Sequence, residues 1–197
     1  MKLLIAIPTT DFVHVEFMKS LVALVEKLSA DGINHDVCIE SGTLVYLARD
    51  KLARKACNEG YTHILWLDSD MVFTDDIVDS LLFCGEAFVS GIAVSRRKPF
   101  GSCLFSSLEP VERLTENGSE PFSVAACGFA CVLTRVEVFK AVFRANGTAF
   151  TPSQKFGEDV ACCARARECG FKIMVEPSVR LGHIAHIPVY PDDAPKR

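Results

Sequence analysis

Apolar positions along the first half of this chain switch repeatedly between two rhythms. Lys2 to Ile7 is almost wholly apolar and is stopped by Pro8, as expected of a buried strand. Val13 to Ser29 then repeats apolar residues at helical spacing, with Phe17, Leu21, Leu24, Val25 and Leu28 on one face. Gly32 lies just past its end, where a capping glycine belongs. Asp36 to Glu40 predicts a second strand, and Val45 to Glu59 a second helix followed by Gly60. His63 to Leu67 predicts a third strand and Asp75 to Phe83 a third helix. Strands alternating with helices of this length imply an α/β fold of parallel βαβ units with right-handed crossovers.

The second half is less regular. Ala87 to Val94 predicts a strand, followed by a long irregular segment through Arg96, Pro99 and Gly101. Val111 to Leu114 and Phe122 to Ala126 flank an Asn117-Gly118 turn and predict a hairpin. Phe129 to Leu133 reads as a strand, Val136 to Phe143 as a helix, and residues 144–157 as a polar loop. Glu158 to Cys169 is a helix closed by Gly170, and Phe171 to Val175 the last clear strand. From Ile184 onward, Pro188, Pro191 and Pro195 predict an extended tail over 184–197.

Composition narrows the function classes. At 197 residues, 49% apolar and 23% charged, the chain reads as one globular domain, 1–197, with a substantial core. Its net charge of −4 leaves no electrostatic footprint for nucleic acid. Arg96-Arg97-Lys98 is too short a basic run for a polyanion but suffices for a diphosphate or a small acidic group. No apolar stretch is long enough to span a membrane, and Leu3 to Ile7 is too short for a signal peptide. The nine cysteines include no C-x-x-C pair and read as reduced, mostly buried thiols of a cytosolic protein.

Candidate chemistry begins at Asp68-Ser69-Asp70, directly after the apolar run His63 to Leu67. The carboxyl ends of parallel strands open into the crevice where such sheets bind ligands. Two carboxylates one residue apart suit a hard divalent cation carrying a diphosphate; an ordinary solvated loop is the alternative. Pro8-Thr9-Thr10 and Glu40-Ser41-Gly42 end the neighbouring strands and converge on the same crevice. Glu40 can accept hydrogen bonds from a ribose or base, and Arg49 projects from the next helix start. Gly157-Glu158-Asp159 opens a helix, where carboxylates either cap free amides or serve in catalysis. His183 follows the last strand and is either a solvated loop residue or a nitrogen ligand for a cation at Asp70, with His186 as rival.

Taken in order, these segments resemble the GT-A glycosyltransferases, in particular family-2-like and phage or viral members. Ile5-Ala-Ile-Pro-Thr9 looks like their first strand and nucleotide loop. Ala48-Arg49-Asp50 is similar to their Ala-Arg-Asn, and Leu65-Trp-Leu-Asp-Ser-Asp70 to their D-x-D strand end. Gly128-Phe129 with Thr134-Arg135 resembles their acceptor-side glycine segment. Phe156-Gly-Glu-Asp159, Gly170-Phe-Lys-Ile and Gly182-His183-Ile look like their E-D helix and late metal histidine.

The resemblance implies a three-layer α/β/α sandwich of GT-A type on a mixed, mostly parallel sheet. Residues 1–85 would form its nucleotide-binding half and 86–183 its acceptor and catalytic half. It implies sugar transfer from a nucleoside diphosphate sugar, UDP-sugar favoured, to an acceptor hydroxyl on a glycan or glycoconjugate. Pro8, Thr9, Thr10, Glu40, Arg49, Asp68, Ser69 and Asp70 would bind the donor. Asp70 and His183 would hold Mn²⁺ or Mg²⁺, with Asp68 on the ribose or on the metal through water. Asp159 would be the base of an inverting transfer, assisted by Glu158, with Gly128, Phe129 and Gly157 around the sugars. The implied location is the cytoplasm, that of a host if the protein is viral.

Two other readings share some of these residues. A phosphatase of the haloacid dehalogenase type would use Asp68 as nucleophile, Asp70 as acid, Ser90 to hold phosphate and Lys98 as charge partner. Against it, the strand comes third and Met71-Val72 stands where Gly-Thr is usual. A GT-A-like module kept only for binding would be expected to lose the carboxylates or the histidine.

Overall fold

A computed structural model of the chain describes residues 1–10, 12–114 and 118–185. In chain order the elements are β1 (Lys2–Pro8), α1 (Val15–Ala30), β2 (Asn34–Glu40), α2 (Val45–Asn58), β3 (His63–Leu67), β4 (Met71–Val72), α3 (Ile77–Phe83) and β5 (Phe88–Ile92). They continue with β6 (Leu104–Leu108), β7 (Val111–Arg113), β8 (Phe122–Val124), β9 (Ala126–Cys127) and β10 (Cys131–Arg135). The last are α4 (Val136–Asn146), α5 (Glu158–Glu168), β11 (Ile173–Arg180) and β12 (Gly182–His183).

Alternation along the central strands sets up three layers. Leu3, Ile5 and Ile7 of β1 and Leu65 and Leu67 of β3 face α1 and α3, where Phe17, Leu24 and Leu81 complete one core. Leu4, Ala6, Ile64 and Trp66 face the opposite side and meet α2, α4 and α5 through Leu52, Phe139 and Cys162. The seven-stranded sheet between them runs β2-β1-β3-β10-β5-β11-β8. Strands β1, β2, β3, β5 and β11 point one way, and β8 and β10 the other. The mixed, mostly parallel sandwich expected from the sequence is therefore the fold.

Trp66 anchors the second core. Its ring makes edge contacts with Phe129, Phe139 and Phe150 at centroid distances of 5.8, 5.4 and 5.2 Å. The indole N–H donates to the Thr134 hydroxyl at 3.2 Å, so the buried polar atom is satisfied.

The expected hairpin is not formed. β7 pairs instead with β6, a strand hidden in the segment read as irregular, and β8 joins the edge of the main sheet beside β11. The sequence signal failed because local turn chemistry does not reveal which distant strand completes a sheet. Asn117 lies outside the described residues. β11 also runs to Arg180, well past Val175, through Glu176-Pro177. A register shift between Val175 and Arg180 accommodates the proline, which cannot donate to a sheet ladder.

The extension of β11 is what positions the site. It delivers Gly182 and His183 to a two-residue antiparallel pairing with Val72 and Met71, directly after the Asp68-Ser69-Asp70 turn. Neither short strand is detectable in the sequence.

Candidate functional site

The carboxyl ends of β1 and β3 and the start of α2 surround a cleft of about 280 Å³. Pro8, Thr9, Thr10, Arg49, Asp68, Ser69 and Asp70 line it, as do Arg96, Glu158 and Asp159. The Thr9 and Ser69 hydroxyls are hydrogen-bonded at 2.9 Å, tying the first strand end to the third. Glu40 departs from this group. Its carboxylate sits 2.6 Å from Lys51, and it contributes to the cleft wall only by accepting the Thr9 amide on its carbonyl at 2.9 Å.

Arg49 organises the carboxylates. It is 2% exposed, lying over the Phe129 and Phe150 rings at 5.3 and 5.8 Å. One nitrogen donates to Asp68 at 2.7 Å, and the other donates to Asp159 and lies 3.7 Å from Glu158. A buried guanidinium is held in place only by such partners, so the three acids and Arg49 form one unit. The next residue, Asp50, has a different task. It accepts the Ala149 and Phe150 amides at 3.0 and 2.9 Å and the Thr148 hydroxyl at 2.5 Å, fastening the loop before α5 to α2. An asparagine oxygen would accept the same amides.

Asp159 is not a helix cap. The N-cap position of α5 is Gly157, which has no side chain to cap with, and Asp159 instead takes Arg49 and the Phe129 amide, the latter at 3.2 Å. Burial pushes its pKa up, Asp68 and Glu158 add to the effect, and Arg49 only partly offsets them, leaving it at about 6. Its side chain is still 26% exposed, so a substrate can reach it. Burial likewise raises the pKa of Asp68 against the opposing charge of Arg49.

Asp70 and His183 meet on the far side of the cleft. Their Oδ2 and Nε2 are 3.2 Å apart, while His183 Nδ1 lies 2.7 Å from the Val94 carbonyl. The Ile184 amide bonds the Asp70 carbonyl at 2.9 Å and fixes the approach. Arg96 also donates to Asp70. Burial disfavours the Asp70 carboxylate, but His183 and Arg96 outweigh it and hold its pKa below the ordinary value. Asp70 in turn raises that of His183.

A carbonyl oxygen can only accept, so Nδ1 carries a proton there and neutral His183 turns the Nε2 lone pair toward Asp70. Two electron-rich atoms at that separation require a proton or a cation between them. This donor pair fits a divalent metal, with the second histidine nitrogen oriented by a backbone carbonyl as in known metal sites. The three-residue set expected from the sequence is nevertheless not assembled. Asp68 is turned onto Arg49, and no group of three or more His, Cys, Asp or Glu side chains gathers at one point among the described residues. His186 lies outside them.

A second cavity, of about 220 Å³, opens on the other side of Asp159. Cys103, Phe105, Arg113, Gly128 and Gly157 line it, and Glu158 and Asp159 belong to both cavities. A Cβ on Gly128 would stand 3.3 Å from Cys103 Cβ and 3.7 Å from Asp159 Oδ2, so the glycine keeps the acid approachable. Phe129 is 1% exposed and its ring belongs to the core, which corrects its expected contact with a sugar: only its amide serves the site. Arg96, Cys103 and Arg113 were not among the expected site residues, and only the basic run around Arg96 gave any signal.

The phosphatase arrangement is not present. Ser90 is 2% exposed, its hydroxyl donates to the Gly91 carbonyl at 2.8 Å, and neither it nor Lys98 lines the cleft.

No protein-family model matches the chain, and no curated protein sequence does. Among solved structures it is similar to A197 from STIV, with a TM-score of 0.66 and 18% identity, covering 94% of this chain and 87% of that one. It is also similar to GalNAc-T7, solved with UDP, GalNAc and Mn²⁺, with a TM-score of 0.61 and 12% identity, covering 95% of this chain. The match spans 44% of the GalNAc-T7 chain. At these identities the likeness is one of fold, and the fold is of the GT-A type.

Proposed function

We propose that this chain is a metal-dependent glycosyltransferase that moves a sugar from a nucleoside diphosphate sugar, UDP-sugar favoured, to an acceptor hydroxyl with inversion. The observation that carries the reading is Asp159, an accessible carboxylate with a pKa of about 6 standing as the common wall of two cavities. Residues 1–85 supply most of the cleft that would hold the nucleotide, and the second cavity is built wholly from 86–183.

In this scheme Pro8, Thr9, Thr10 and Ser69 cradle the nucleoside diphosphate, and Asp68 contacts its ribose. Asp70 and His183 would hold Mn²⁺ or Mg²⁺, which when bound neutralises charge on the departing diphosphate. Asp159, kept in place by Arg49 and the Phe129 amide, accepts the proton of an acceptor hydroxyl in the second cavity. That oxygen bonds to the anomeric carbon as the bond to the diphosphate breaks, and the nucleoside diphosphate leaves. Glu158 supports the charge of Arg49 and borders both substrates. A carboxylate ionised just above pH 6 suits this work, being basic enough to take a proton and still ionised at neutral pH.

A thermal-shift matrix of UDP, GDP, CMP and dTDP, each with Mn²⁺, Mg²⁺ or EDTA, tests the reading. A ligand at a hundred times its Kd adds about 2.7 kcal/mol, enough to move the melting point by several degrees. Stabilisation by one nucleotide that EDTA abolishes is the expected result. A flat matrix sinks the proposal.

A further inference from the structure

A trench about 560 Å³ in volume lies beside the second cavity and shares its two walls. On one wall, β6 contributes Phe105 to the cavity and Ser106, Ser107 and Leu108 to the trench. On the other, α5 contributes Val160 to the cavity and Ala164, Arg167 and Glu168 to the trench. Positions 160, 164 and 167 fall on one helical stripe, so cavity and trench run in line along α5. From Asp159 to Glu168 the helix rises roughly 13 Å, more than a single sugar ring spans. Phe156 and Gly157 join the two spaces at the mouth of the helix.

The lining has a definite chemistry. Serine hydroxyls, a guanidinium and carboxylates line the trench together with the part-exposed Phe156, which suits a chain with many hydroxyls and flat apolar ring faces. A peptide laid down as an added strand is less well served. β6 is paired along its length with β7, and beside the acid its other edge is taken by β9 at Leu104 and Phe105.

We infer that the acceptor is an oligosaccharide bound lengthwise between β6 and α5, its terminal unit at Asp159 and its preceding units in the trench. The inference rests on the glycosyltransferase reading above and names its acceptor class.

The test is calorimetric titration of the intact chain, loaded with UDP and Mn²⁺, with mono- to tetrasaccharides of glucose, mannose, galactose and N-acetylglucosamine. One series should tighten by about tenfold or more between the monosaccharide and the tetrasaccharide. Ala164→Trp, which fills the trench, should abolish that gain, and Arg167→Ala should reduce it. The UDP–Mn²⁺ thermal shift serves as the folding control for both variants. Affinity that stays flat with length in every series overturns the inference, as does a serine-containing peptide that binds where no tetrasaccharide does. A flat response of the unmodified chain to every nucleotide of the thermal-shift matrix is a separate outcome, and it removes the transferase reading itself.

Discussion

His183 Nε2 and Asp70 Oδ2 stand 3.2 Å apart although 113 residues separate them, and the Val94 carbonyl dictates which histidine nitrogen does the facing. If this pair holds the cation, His183→Ala should abolish the Mn²⁺-dependent part of nucleotide binding. Asp70→Ala should do the same. Both variants should keep a cooperative melting transition, because the two side chains sit at the rim of the cleft and not in either core. Titration of Mn²⁺ with UDP by calorimetry reads the effect directly, and undiminished metal dependence in either variant would exclude the assignment.

Arg96 competes for the same carboxylate. It donates to Asp70, lines the cleft and keeps 54% of its side chain exposed, so it is free to move to a phosphate. Arg96→Gln is expected to have opposite effects on two ligands. Mn²⁺ alone should bind more tightly, because Asp70 loses a competing cation. The preference for UDP over UMP should shrink by several-fold, because a charge partner of the second phosphate is lost. Parallel changes in both would mean that Arg96 only shapes the loop.

Arg49 should be the least replaceable charged residue among the described residues. It is buried against two phenyl rings and balances Asp68, Asp159 and Glu158. Arg49→Met leaves those acids without their counter-charge and should cost about 3–5 kcal/mol in urea unfolding at neutral pH. The loss should lessen on acidification, since protonated carboxyls no longer repel one another. A change below 1 kcal/mol, on the order of an exposed pair, would contradict the organising role.

Asp159 sets the pH dependence of the proposed transfer. The base works ionised, and its pKa is raised to about 6, so kcat/KM should rise with pH and level off above that value. Asp159→Asn should lower kcat by roughly 10²–10⁴ while nucleotide binding persists. A profile that is flat from pH 5 to 8 on the order-of-magnitude scale of a general base would remove Asp159 from the chemistry.

Asp50 has a purely structural prediction. Asp50→Ala strips the acceptors from two backbone amides and a hydroxyl in the 148–150 segment. Each unsatisfied buried group costs about 1–3 kcal/mol, so the melting point should fall by several degrees. Asp50→Asn should be close to neutral.

The sequence alone determined the sheet-and-helix alternation, the strand end that carries Asp68 and Asp70, and the helix start that carries Asp159. These are local properties: apolar periodicity is written within each element, and polar residues at strand ends and helix starts are visible in the same few positions. It did not determine the use of each group. Capping remained open for Glu158, and for Asp159 beside its reading as a base, until the fold brought Arg49 and the Phe129 amide to Asp159. Phe129 read as a sugar contact until the Trp66 cluster claimed its ring. His183 was one of two histidines on a loop until β11 ran on through Pro177 and pinned it beside Met71. The hairpin expected around Asn117 gave way to pairings with strands far off in sequence. Each of these outcomes depends on contacts between segments distant along the chain, where the energy of burial and hydrogen bonding is shared among many residues and no short stretch encodes it.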